Sequence, residues 1–185
     1  MKQMKSRAKQ AGAALLEYTV YAAIVGMAII AVYEWYARNQ TTKESELMRD
    51  SLVSFYTKVT AVKQQWGHYN GYSNTSVWQS DELIPATMKS TVRGQFITPY
   101  SPNGLTFAPV STITDRNGRT FNTPNAWLSA TILNVPEGNC SDEVGRYVDK
   151  FVQVNVGTTR ITGQAALDAA CGAVSGTTSI TIIGG

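Results

Sequence analysis

An apolar run of 21 residues, from Ala13 to Tyr33, limits what this 185-residue chain can fold into more than any other feature. About 20 apolar residues in a helix span the hydrocarbon core of a bilayer, so the run predicts a membrane-spanning helix. Its only charged residue is Glu17, near its start. A carboxylate inside a membrane costs about 3 kcal/mol, so we expect Glu17 to have a positively charged partner.

Positive charge is concentrated before this run. Lys2, Lys5, Arg7 and Lys9 precede Gly12, and no acidic residue lies among them. The net charge of +3 comes from this segment, because the rest of the chain has 12 basic and 13 acidic residues. This asymmetry predicts a cytoplasmic N-terminus and an exported remainder. The near-neutral remainder lacks the basic patch of a nucleic-acid-binding domain, so we expect no nucleic-acid partner.

The apolar run differs from a secretory signal peptide. It is longer than a typical signal core, and residues 33–38, YEWYAR, provide no small-residue cleavage site. We therefore expect the apolar segment to be retained. The alternative is a single-pass anchor in which Glu17 reaches toward the cytoplasmic headgroups.

The helical pattern continues beyond the apolar run. Residues 34–66 contain no Pro or Gly, and their apolar residues recur at spacings of three and four: Met48, Leu52, Phe55, Val59, Val62 and Trp66. The opposite face carries Lys43, Glu44, Asp50, Thr57 and Gln64. The pattern predicts one helix over Ala13–Trp66, about 80 Å long and ended by Gly67. Its second half is amphipathic and needs a folded body along one side.

The rest of the chain changes to loop and strand patterns. Residues 67–104 predict a long connection with one short helix near Ser80–Lys89, and Asp115–Gly118 predicts a turn. The predicted strands are Leu105–Thr114, Trp127–Val135, Tyr147–Val156 and Ser179–Ile183. Ser141 and Thr162 are the predicted N-caps of two short helices, the second covering Gln164–Ala170.

Two cysteines, Cys140 and Cys171, lie 31 positions apart. They lack the CxxC spacing of a metal site, and the single histidine, His68, is far away in sequence, so we expect no metal. Outside the cytoplasm the pair would form one disulfide. The alternative is two buried free thiols.

No pattern in the sequence predicts catalysis or a bound cofactor. The acidic pairs Asp81–Glu82 and Asp142–Glu143 lie at predicted helix starts, where capping accounts for them. The Asp115–Gly118 turn lacks the carboxylates of a calcium loop, and no nucleotide-binding glycine pattern is present. We therefore predict no catalytic residues and a protein that is not an enzyme.

An aromatic cluster follows the long helix, formed by Trp66, Tyr69, Tyr72 and Trp78 together with His68 and Asn70. A glycan- or surface-binding patch is one interpretation. A subunit contact, or packing of the loop over the sheet, is the favoured one, because aromatic residues are enriched at interfaces.

Residues 9–36 combine a basic segment ending in Gly12, the sequence AALLE, and an apolar stretch. This arrangement resembles the class III signal of type IV prepilins. The resemblance implies cleavage between Gly12 and Ala13 by a prepilin peptidase, and N-methylation of Ala13. It also implies that Glu17 docks a subunit against the Ala13 ammonium of a neighbour and so fixes the axial register.

The first residue after the implied cleavage is Ala13, where the type IVa group has Phe, so the resemblance points to the type IVb group. That group includes the pilins of conjugative thin pili and of toxin-coregulated and bundle-forming pili. Gly26 stands where pilins often carry a helix-weakening glycine, whereas Glu34 stands in place of the proline found in many pilins. The Cys140–Cys171 pair is similar to the family's C-terminal disulfide. The implied fold is α+β, with a long N-terminal α-helix packed on an antiparallel β-sheet and a disulfide-bounded C-terminal region.

These expectations divide the chain into four parts. Residues 1–12 are a cleaved leader, 13–40 a transmembrane and filament-core helix, 41–66 an amphipathic helix, and 67–185 a globular head with the disulfide-bounded region 140–171. The implied function is that of a structural pilus subunit, used in conjugation, adhesion or aggregation. The implied partners are further copies of the chain, a prepilin peptidase, the inner-membrane assembly machinery and, before assembly, the membrane. The expected location is the inner membrane and then the surface of a Gram-negative cell. The alternatives are a minor pilin, a type II secretion pseudopilin, or a monomeric membrane-anchored periplasmic binding protein.

Overall fold

A computed structural model describes the backbone of residues 4–185 and the side chains of residues 18–185 except Arg38. The first element is a single helix, α1, over Met4–Trp66. The chain divides into two compact units, which we call the N-terminal unit (Met1–Lys43) and the C-terminal unit (Glu44–Gly185), and α1 contributes to both. The predicted helix over Ala13–Trp66 is confirmed. The four predicted parts of the chain, from the leader to the head, remain predictions.

Helix α1 ends where the sequence predicts. Gly67 has a φ of 78°, a left-handed conformation that favours glycine, and its N–H donates to the Lys63 carbonyl at 2.7 Å. The predicted apolar stripe is confirmed for four residues, which are all buried: Met48, Leu52, Phe55 and Val59. It is wrong for Trp66, which is 70% exposed, because the chain turns away from the helix directly after this residue.

The connection after α1 contains a short helix, α2, at Asn74–Gln79, earlier than the predicted Ser80–Lys89. Ser73 determines this start, because its hydroxyl accepts from the Ser76 N–H while its own N–H donates to the Ser76 hydroxyl. Within the predicted range only a 3₁₀ turn forms, at Ala86–Met88. The prediction placed the helix on acidic residues and missed the reciprocal serine cap.

A five-stranded antiparallel sheet forms the centre of the C-terminal unit. Its strands are β1 (Leu105–Thr114), β2 (Thr120–Pro136), β3 (Gln153–Val156), β4 (Thr159–Arg160) and β5 (Thr177–Gly184), in the spatial order β1-β2-β5-β3-β4. The predicted turn joins β1 to β2, with the Gly118 N–H donating to the Asp115 carbonyl at 3.0 Å. The strands predicted at Trp127–Val135 and Ser179–Ile183 are confirmed within longer strands, and β4 was not predicted.

The strand predicted over Tyr147–Val156 is wrong in its first half. Tyr147 ends a helix, α3 (Cys140–Tyr147), and the strand begins at Gln153. Cys140, Val144 and Tyr147 are all buried on one face of α3. Their spacing of four and three residues is that of one helix face, and it determines the structure here in preference to the strand-like alternation of the sequence.

Both predicted N-caps are also wrong. A 3₁₀ turn at Glu137–Asn139 runs directly into α3, and the Cys140 N–H bonds to the Glu137 carbonyl, so the helix starts before Ser141. The last helix, α4 (Gln164–Gly172), has Gly163 as its N-cap, one residue after Thr162. Asn139 makes no side-chain capping hydrogen bond, and Gly163 has no side chain to make one.

The core of the C-terminal unit lies between α1 and one face of the sheet. The Phe55 and Phe107 rings are 4.6 Å apart, and the Tyr56 hydroxyl donates toward the Leu128 and Ile182 carbonyls on neighbouring strands. A side chain at Gly184 would bring its Cβ to 3.0 Å from the Tyr56 ring. Tyr56 is thus in close contact with the sheet, although it lies beside the predicted stripe.

Candidate assembly surface

The implied processing residues Gly12, Ala13 and Glu17 lie within the backbone span of α1. Their side chains are outside the part of the chain that the structure describes. Their assigned roles in cleavage, N-methylation and subunit docking therefore remain predictions from the sequence.

The described side chains of the N-terminal unit form an exposed apolar surface. α1 contains a window with a mean hydropathy of 1.6, long and apolar enough to cross a membrane, and none of that window is buried. The exposed fractions are 78% for Tyr18, 64% for Ile29 and 67% for Trp35. A helix that is apolar on all sides is stable only inside a membrane or among other apolar groups. This unit therefore needs an apolar environment, which the rest of the chain does not provide.

Gly26 lies inside α1, and apart from the adjacent helix backbone no described atom lies within 4 Å of the position its Cβ would take. Packing within the chain does not require glycine at this position. Three further small residues of the same unit are exposed: Ala22, Ala23 and Ala31. Small side chains let the backbones of neighbouring apolar helices approach closely.

The predicted disulfide between Cys140 and Cys171 is confirmed. The S–S distance is 2.00 Å and the Cα atoms are 5.7 Å apart. The bond joins the first residue of α3 to the last turn of α4. It therefore closes a segment that contains α3, β3 and β4 and most of α4.

A buried carboxylate connects this segment to α1. Glu143, 1% exposed, accepts from the Tyr147 hydroxyl at 2.9 Å and from the Tyr100 hydroxyl at 2.8 Å. The Tyr100 hydroxyl also lies 3.0 Å from the Ser45 hydroxyl on α1. Burial raises the pKa of both tyrosines, and the neighbouring Glu143 charge adds to the effect. Both phenols therefore keep their protons and act as donors to Glu143.

Arg146 lies beside this network. Its Nε is 3.8 Å from Glu143, and its guanidinium is 3.7 Å from the Glu46 carboxylate on α1. These distances are those of ion pairs without a direct hydrogen bond. Arg146 thus adds a second charged connection between α3 and the part of α1 that belongs to the C-terminal unit.

Sequence reasoning assigned Glu143 to helix capping and missed its burial. Tyr147, four residues later on the same helix, was the local signal for a partner. The other acidic pair, Asp81–Glu82, lies in a turn after α2, where Asp81 pairs with Lys89 at 2.7 Å. The prediction that Asp81 begins a helix is therefore wrong.

The aromatic cluster after α1 separates into two groups. Tyr69 is fully buried, and Trp78 packs against the core while its indole N–H donates to the Ser90 carbonyl at 3.2 Å. Tyr72 is partly buried against Tyr69, with ring centroids 5.7 Å apart. Packing of the loop therefore accounts for these three residues, but not for Trp66.

Both edges of the sheet are poor templates for another strand. The Asn74 side chain bonds to the Leu105 carbonyl and the Phe107 N–H, which occupies the start of the β1 edge. Pro109 follows in β1, and the pairing register shifts between Val110 and Thr112. The opposite edge, β4, has two residues. Blocked, interrupted or short edges of this kind disfavour strand addition.

No protein-family model matches the chain, and no curated protein matches it significantly. The long helix packed on an antiparallel sheet, together with the C-terminal disulfide, is compatible with a pilin-like fold.

Proposed function

We propose that this chain is a type IVb pilin, a structural subunit that polymerises through its N-terminal helix into a helical extracellular filament. One observation supports this most strongly. A single helix has an apolar half with no burial, and a second half that packs on a disulfide-bounded α+β body.

The apolar half needs two successive environments in this proposal. Before assembly, lipid surrounds residues 13–33, with the basic leader in the cytoplasm. In the filament, the apolar helices of neighbouring subunits replace the lipid, and the small residues around Gly26 allow close packing. A head-to-tail contact of this kind generates an open fibre, not a closed ring.

Glu17 sets the register in this proposal. Cleavage after Gly12 creates an ammonium group at Ala13, one helical turn from Glu17. Pairing with the ammonium of a neighbouring subunit offsets the free-energy cost of placing this carboxylate among apolar helices. The pair can form at only one axial offset between the two subunits. A single buried polar residue fixes the register of a coiled coil in the same way.

The proposed partners are a prepilin peptidase, the inner-membrane assembly machinery and further copies of this chain. The proposed location is the inner membrane of a Gram-negative cell and then its outside. Filament-based conjugation, adhesion or aggregation needs no catalytic group or cofactor in the subunit, and we propose none. The blocked sheet edges favour assembly through helices over assembly through strands.

Intact-mass measurement of the membrane-extracted protein, with and without a co-expressed prepilin peptidase, tests the processing step. We expect loss of residues 1–12 and gain of one methyl group only when the active peptidase is present. An unchanged chain that retains Met1 in the presence of active peptidase would contradict the proposal. It would favour the monomeric membrane-anchored binding protein instead.

Substitution of Glu17 tests the assembly step. We expect Glu17→Ala to be inserted in the membrane but to yield few or no filaments by electron microscopy. Glu34→Ala is the matched control, because Glu34 lies on the same helix and is exposed. Equal filament yields from the two variants would contradict the register role of Glu17. Quantifying this chain in purified filaments then separates a major subunit from a minor pilin or pseudopilin.

A further inference from the structure

A cleft lies beside the end of α1 in the C-terminal unit. Its volume is about 340 Å³, and its lining includes Val62, Trp66, His68, Asn70, Tyr72 and Leu83. Trp66 is 70% exposed, although it ends an apolar stripe whose first four members are buried. A cleft of this volume, lined mainly by apolar and aromatic side chains with a few polar groups, is a candidate site for a small ligand.

His68 and Asn70 each present a polar group in the cleft to a ligand. The His68 Nδ1 accepts from the Asn70 N–H at 3.2 Å, which leaves the proton of a neutral imidazole on Nε2 as a donor. Among the described residues, nothing hydrogen-bonds to the Asn70 side-chain amide. Ser76 also lines the cleft, but its hydroxyl is already bonded to Ser73 in the α2 cap.

The charge of the cleft restricts the ligand class. Its lining contains no lysine, arginine, aspartate or glutamate. A charged ligand would lose water without gaining an opposite charge. A purely apolar occupant, such as another apolar helix, would bury His68 and Asn70 without hydrogen-bond partners. The matching ligand is neutral, with one apolar face and several hydroxyl groups.

We propose that this cleft binds a neutral saccharide. One pyranose ring stacks its C–H face on the Trp66 indole, and its hydroxyl groups bond to His68 Nε2 and the Asn70 amide. Aromatic walls with a few placed polar groups are the usual composition of small-ligand sites. This proposal goes beyond filament formation and does not depend on it.

Fluorine NMR of the full chain in lipid nanodiscs tests the proposal, with all four tryptophans replaced by 5-fluorotryptophan. The preparation must avoid maltoside and glucoside detergents, whose headgroups would compete. Chitotriose, cellotriose and maltotriose are titrated separately. We expect at least one of them to shift the Trp66 signal saturably. The Trp35, Trp78 and Trp127 signals serve as references, and Trp66→Phe assigns the signal.

Saturation-transfer NMR on the saccharide protons compares the variants. We expect Trp66→Ala to weaken binding by about tenfold or more, and His68→Ala and Asn70→Ala to weaken it less. Phe121→Ala is the control, because Phe121 is an exposed aromatic residue on β2 outside the cleft. Three results would overturn the proposal: no Trp66 shift with any trisaccharide at millimolar concentration, undiminished binding by Trp66→Ala, or a Trp66 signal that responds only to filament formation.

Discussion

The two units of this chain share one helix but depend on different surroundings. In the C-terminal unit, α1 buries one stripe, including Phe55 and Leu52, against its own sheet. In the N-terminal unit, residues such as Ile29 and Trp35 are mostly exposed on the same helix. The amphipathic half is stabilised by packing within its own chain, whereas the apolar half is left exposed. One continuous helix therefore contains a half that the chain buries itself and a half that, in the proposed filament, neighbouring subunits would bury.

Truncating one large side chain in each unit tests whether only the C-terminal unit is stabilised by packing within the chain. We expect Phe55→Ala to reduce the free energy of unfolding of the C-terminal unit by about 3–5 kcal/mol, because Phe55 is fully buried against Phe107. Ile29→Ala, at a 64% exposed position, should change it by less than about 0.5 kcal/mol. Denaturant unfolding of the full chain in nanodiscs, followed by near-UV circular dichroism, measures both. A large effect of Ile29→Ala would mean that the two units fold as one.

Removing the disulfide should affect only one side of the comparison. We expect Cys140→Ser with Cys171→Ser to destabilise the C-terminal unit by about 3–4 kcal/mol, because the bond spans 31 residues and restricts the unfolded chain. The helicity of the N-terminal unit in nanodiscs should not change. Unfolding curves of oxidised and reduced wild type provide the control, and equal midpoints would refute the expected contribution.

Two helical glycines allow the same substitution in each unit. Gly26 in α1 and Gly145 in α3 both have open space around the Cβ position. We expect Gly145→Ala to stabilise the C-terminal unit by about 1 kcal/mol through helix propensity. Gly26→Ala should instead slow hydrogen exchange only near residue 26. A change in C-terminal unfolding caused by Gly26→Ala would contradict the independence of the units.

The smallest expected effect is a pH dependence at the β1–β2 turn. The Arg119 backbone N–H and the Arg119 guanidinium both donate to the Asp115 carboxylate. These bonds lower the pKa of Asp115. Because the folded-state pKa lies below the unfolded value, this contribution is present above about pH 4 and is lost as pH falls through the folded-state pKa. We expect Asp115→Asn to unfold at a lower temperature than wild type near neutral pH, with a smaller difference in acid. If Asp115→Asn and wild type melt at the same temperature at both pH values, these hydrogen bonds do not contribute to stability.

The sequence predicted those features that depend on neighbouring residues. The apolar run and the stop at Gly67 come from local pattern, and β1 was predicted at its observed bounds because alternation continues up to a clear turn. Predictions failed where distant contacts decide the structure. Glu143 is buried because it meets Tyr100, 43 residues away, and no local pattern reveals such a partner. Trp66 fits the apolar spacing but is exposed, because the chain turns away after Gly67, and the local spacing does not reveal that turn.

The Asn74 side chain affects how C-terminal units would behave when they are held close together. A filament would hold many copies of the C-terminal unit at a local concentration far above that of free monomers. At such density, an open sheet edge would pair with neighbouring edges and compete with ordered growth. By occupying the polar groups of Leu105 and Phe107, Asn74 removes that competitor. In the proposed filament, this one amide side chain would disfavour pairing between sheet edges and leave growth to the apolar helix.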